Sequence, residues 1–80
     1  MNLESPFRCE APDTALVEAI IGGYVSWRAE SAAVAATYET WARARGRGRA
    51  IAFADYAAAL DREELAASEY QRVLRQAVAA

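Results

Sequence analysis

The chain reads as an all-α protein. The expected architecture is an antiparallel helical hairpin with an irregular N-terminal arm, dimerising into a four-helix bundle. Three observations predict this. Apolar residues recur at alternating steps of three and four along two long stretches, a helical period and not a strand period. A short basic run, Arg43-Ala44-Arg45-Gly46-Arg47-Gly48-Arg49, separates the two stretches with a pair of glycines. Alanine fills 21 of the 80 positions, which raises helix propensity and lets helices approach closely where alanines align.

Residues 1–12 form the arm. Pro6 and Pro12 punctuate it and no period is visible. Leu3, Phe7 and Cys9 make it weakly apolar, so it suits packing across the bundle end, docking on a larger partner, or a free tail. The hairpin occupies 13–80. Helix 1 is expected over about 13–45, with Asp13 or Thr14 as N-cap. Gly22-Gly23 is its weak point, a place for a kink or for close approach of another backbone, since an interior glycine costs up to about 1 kcal/mol relative to alanine. The turn is expected at about 46–48 and helix 2 at about 49–78.

The apolar seam of helix 1 reads Leu16, Ile20, Tyr24, Trp27, Ser31, Val34, Tyr38, Trp41. That of helix 2 reads Phe53, Tyr56, Leu60, Glu63, Ala67, Tyr70, Leu74, Ala77. Folding one back on the other about residue 47 sets Trp41 against Phe53, Tyr38 against Tyr56 and Val34 against Leu60. It continues with Ser31 against Glu63, Trp27 against Ala67, Tyr24 against Tyr70 and Ile20 against Leu74. Tyr24, Trp27, Val34, Tyr38, Trp41, Phe53, Tyr56, Leu60, Tyr70 and Leu74 are therefore the expected hairpin core. Ser31 and Glu63 are the single polar step of each seam, and they fall in one layer. Two seams read independently match at that step, which supports the antiparallel register.

Two helices cover only one stripe of each other. Ile51, Ala54, Ala58 and Leu65 remain beside the seam of helix 2, and Val17, Ile21 and Val25 beside that of helix 1. Left in water they would expose a long apolar strip. These seven are the expected protein interface, covered by a second copy or by a larger protein that supplies the missing helices.

Composition bounds the rest. Eighty residues make one domain at most, too small to build a large core alone. Cys9 is the only cysteine, so no disulfide staples the fold and a reducing compartment is expected, with an intermolecular bridge as the alternative. The first residues lack a basic segment followed by an apolar one, and no run of about 18 apolar residues occurs. The expected location is cytoplasmic, without membrane association. A net charge of −2 argues against a globally basic nucleic-acid binder.

No catalytic residue, metal site or cofactor is expected. Histidine is absent, so the Glu-x-x-His sites of helix bundles cannot be built. Asp61 and Glu64 read as solvated carboxylates, and Glu63 as a seam-edge group bonded to Ser31 or Tyr56. Arg43, Arg45, Arg47 and Arg49 at the turn have the chemistry to grip phosphates in a nucleic acid or another polyanion. Against that stands a structural reading, in which Arg43 and Arg45 complement the helix 1 dipole and Arg43 pairs with Glu39. Arg49 opposes the dipole of helix 2 and so asks for a separate reason.

A hairpin with a tryptophan near its turn resembles the small helical-hairpin proteins of type VII secretion, which carry Trp-x-Gly there. The equivalent stretch in this chain is Trp41-Ala42-Arg43, without the glycine, and Tyr70 is followed four residues later by Leu74 instead of an acidic export residue. The resemblance is architectural and carries no function or residue roles. The sequence thus points to a non-enzymatic interaction or accessory module acting through helix faces, with polyanion contact through the arginine turn as the alternative.

Overall fold

The computed structural model describes residues 14–79. Two helices, α1 (Thr14–Arg43) and α2 (Arg47–Ala79), pack against each other along their length, and no strand occurs among the described residues. The chain is a helical hairpin. At 1.5 Å per residue α1 runs about 45 Å and α2 about 50 Å. The expected arm, residues 1–12, and the Asp13 cap lie outside the described residues.

α1 continues through Gly22-Gly23 as regular helix. The second glycine has a packing reason. A Cβ built on Gly23 would stand 3.1 Å from Tyr70 Cδ1 and 3.5 Å from Tyr70 Cα, whereas one on Gly22 would meet nothing within 4 Å. Gly23 is where the α2 backbone comes in close.

The connection is Ala44-Arg45-Gly46, two residues earlier than the expected 46–48. Gly46 takes φ +62°, the left-handed conformation that ends helices and that only glycine adopts without strain. Gly48 is helical, so it is not a second stop. The Ala44 N–H donates to the Trp41 carbonyl at 3.1 Å, tightening the last turn, and the Arg49 N–H donates to the Gly46 carbonyl at 3.2 Å to open α2. The Arg49 side chain supplies the rest. Its Nη1 donates to the carbonyls of Trp41 (3.3 Å) and Ala44 (3.4 Å), and its guanidinium lies over the Trp41 ring, 5.0 Å from the centroid. Its unfavourable place in the α2 dipole is offset by what it does for the end of α1.

The antiparallel register is the expected one. Ring centroids lie 5.2 Å apart for Trp41–Phe53, 5.6 Å for Tyr38–Tyr56 and 5.9 Å for Tyr24–Tyr70, and Ser31 Oγ stands 3.5 Å from Glu63 Oε2. The line of closest contact, however, runs one residue to the side at alternate steps. Among the described residues Ala52, Ala59 and Val73 are buried, Ala59 completely, with Ala66 completing the seven-residue spacing. Tyr56, Glu63, Tyr70 and Ala77 occupy the intervening steps as read from the sequence, whereas Phe53, Leu60 and Leu74 lie beside the seam, not in it. Likewise Gly23 and Thr37 face α2 where Tyr24 and Tyr38 were expected, and Glu30 joins Ser31 there. The reason is size. Backbones approach most closely over alanine and glycine, and that gap has no room for an aromatic ring.

Candidate interaction face

Displaced from the seam, the rings collect along one edge of the hairpin. Near the turn Trp41 stacks on Tyr56 (5.4 Å, interplanar 13°), with Tyr38 and Phe53 packed edge-on or tilted around them. Near the open end Trp27 stacks on Tyr70 (6.0 Å, 16°), and Tyr24 meets both. Val34 and Leu60 sit between the two clusters in the register, with Leu74 beyond the second. Such pairs contribute about 0.5–1.5 kcal/mol each beyond their burial. They still leave much of the surface open: Tyr38 and Phe53 are each 49 % exposed, and Tyr24, Leu60 and Leu74 are over a third exposed. Trp27, Val34, Trp41, Tyr56 and Tyr70 are half-buried. The expected core therefore divides into a half-covered row and an open row, both on one face.

Midway along this face sits the polar layer. The Trp27 indole Nε1–H donates to Glu63 Oε2 at 2.8 Å, and the Ser31 hydroxyl reaches the same oxygen at 3.5 Å. The tryptophan partner is the one sequence reading missed, since the helical step from Ser31 to Trp27 brings the indole N–H over Glu63. Asp61 and Glu64 are exposed, and no group of three His, Cys, Asp or Glu side chains gathers among the described residues.

The opposite edge is different in kind. A shallow cleft there is lined by Ala19, Gly22, Gly23, Ser26 and Glu30 of α1 and by Leu65, Ala66, Glu69, Arg72 and Val73 of α2. Arg62 Nε bridges to Glu30 Oε1 at 3.3 Å across the helices. Arg72 pairs with Glu69 at 2.6 Å, and that bond holds the Glu69 carboxyl below its ordinary pKa and the Arg72 guanidinium above its own. Arg62, Arg72 and Glu69 are half or more in water and Glu30 is about a third exposed, so each pair stabilises the fold little.

The seven residues expected to form one interface do not lie on one face. Leu65 lines the polar-edge cleft, and Ile51 and Ala58 share its side of α2 at seven-residue spacing. Val17 falls seven residues before Tyr24, on the aromatic side, and Ile21 and Val25 step outward from it. Ala54 faces outward on α2. All are exposed, Leu65 by 72 % and Ile51 by 67 %.

At the turn, Arg43 is held by Glu39 at 3.1 Å, the expected i, i+4 pair, and Arg49 is held by α1 carbonyls. Arg45 and Arg47 make no ion pair among the described residues. No described helix is long and apolar enough to cross a membrane. No protein-family model, curated protein or solved structure matches this chain.

Proposed function

We propose that this chain is a non-enzymatic interaction module. It works by docking another helical element, a second copy or part of a larger protein, on the aromatic edge of the hairpin. One observation carries this reading. Large apolar side chains run the length of one face, yet no large side chain is fully buried among the described residues. A helix pair with only Ala52, Ala59 and Val73 buried falls short of what an independent core requires, and covering the aromatic row would supply it. The lone Cys9 supports a reducing, cytoplasmic setting.

The test is light scattering and circular dichroism on the purified chain beside Phe53→Asp. The expected result is self-association, or marginal helicity that a bound helical partner raises, with either response lost in the variant. A fully helical, stable monomer indifferent to Phe53→Asp would overturn the reading. The alternative, a polyanion grip at the turn, rests on Arg45 and Arg47, because the other two arginines are engaged within the hairpin. Added salt would weaken such binding steeply, and Arg45→Ala with Arg47→Ala would remove it.

A further inference from the structure

We infer that the occupant of the aromatic face is an amphipathic helix from a different protein, carrying one arginine or lysine at the middle of its apolar seam. This rests on the docking reading above and names the partner's chemistry.

Glu63 is the only charged residue among the half-covered and open rows of that face, and it lies midway between the two aromatic clusters. Both of its hydrogen bonds, from Trp27 and Ser31, end on Oε2. Oε1 accepts none from the described residues. Any element that covers the face takes this carboxylate further out of water, and a carboxylate so covered is costly unless a donor reaches it. A cation at the matching step of the partner meets that need through a charge-assisted bond.

A second copy does not present one. With the faces fully overlapped in antiparallel fashion, Glu63 meets Glu63 of the other copy near the two-fold axis. In the parallel stack it meets the Ser31 and Trp27 layer, again without a cation. The nearest arginines on this side lie over rings of their own chain, Arg49 over Trp41 at the turn and Arg28 over Tyr24 at 6.0 Å, one residue outside the Trp27 step.

The experiment titrates the full chain with helical peptides of about four heptads and a leucine seam, differing only in an arginine, glutamine or glutamate at the central seam step. Tryptophan fluorescence follows binding, because Trp27 touches Glu63. The arginine peptide should bind at least about tenfold more tightly than the glutamate peptide. Glu63→Gln should erase that preference and Glu63→Arg should reverse it, with circular dichroism confirming that each variant stays helical. Equal binding of all three peptides would overturn the inference and leave the docking reading standing. A tight homodimer broken by Phe53→Asp would overturn it in favour of a second copy. If no peptide binds and Phe53→Asp changes nothing in solution, both readings fail.

Discussion

The two edges of this hairpin are made by the same pair of helices and have opposite characters. On one, two tryptophans, four tyrosines and a phenylalanine stack in two clusters about a single carboxylate. On the other, alanine, glycine and serine of α1 and Leu65, Glu69, Arg72 and Val73 of α2 line a shallow cleft crossed by an ion pair. Between them runs a line of small residues. The comparison teaches that the small residues make the aromatic edge what it is: by bringing the backbones together they force the rings out of the interior and into one row.

Widening the contact line should break this arrangement most severely. Ala59→Leu puts a large side chain where no surface is exposed, so about 1–3 kcal/mol of stability should be lost in chemical denaturation. Ala58→Leu, one residue away and in water, should change stability by less than about 0.5 kcal/mol. Equal effects would mean the closest contact runs elsewhere. Gly46→Ala attacks the pivot. At φ +62° an alanine should cost about 1–2 kcal/mol, read from the same unfolding curves.

Arg49→Ala sharpens the aromatic edge at its turn end. Removing the carbonyl cap and the stack on Trp41 should cost about 1 kcal/mol, while Arg45→Ala should leave the melting curve unchanged. Gly23→Ala sets two small effects against each other. Alanine gains up to about 1 kcal/mol of helix propensity but brings its Cβ to 3.1 Å from the flexible Tyr70 ring. If the ring gives by a few tenths of an ångström the variant gains stability, and a loss would show that the stack with Trp27 holds Tyr70 in place.

The smallest effect belongs to the polar edge. Glu69 has a folded pKa below its unfolded one, so its pairing with Arg72 contributes above the ordinary carboxylate range. That contribution is lost as pH falls through the lowered folded value. Both groups stand in water, so Glu69→Gln should shift the melting temperature by no more than measurement error at neutral pH. A clear drop would show that the polar edge is covered by something.

The register was legible in the sequence because it depends on a coincidence of patterns. Aromatic steps faced aromatic steps, and Ser31 faced Glu63 only when the chain was folded near residue 47. Most of each seam was legible for the same reason: Leu16, Ile20, Trp27, Ser31, Val34 and Trp41, and Tyr56, Glu63, Ala67, Tyr70 and Ala77. Tyr24, Tyr38, Phe53, Leu60 and Leu74 were not, for they lie in the open row. Ranking residues by hydrophobicity favours Phe53, Leu60 and Leu74, whereas close packing favours Ala52, Ala59 and Val73 beside them. The turn was misplaced by two residues because Gly46 and Gly48 look alike in sequence, and only Gly46 takes a positive φ.

The sequence by itself determined that the chain is helical, where it reverses to within two residues, and which layers meet. Those follow from period, propensity and polarity, all local properties of the chain. Only the tertiary structure decided which neighbour at each step goes inside and which edge carries the rings. That choice depends on how closely two backbones can approach, and the distance exists only once both helices are in place.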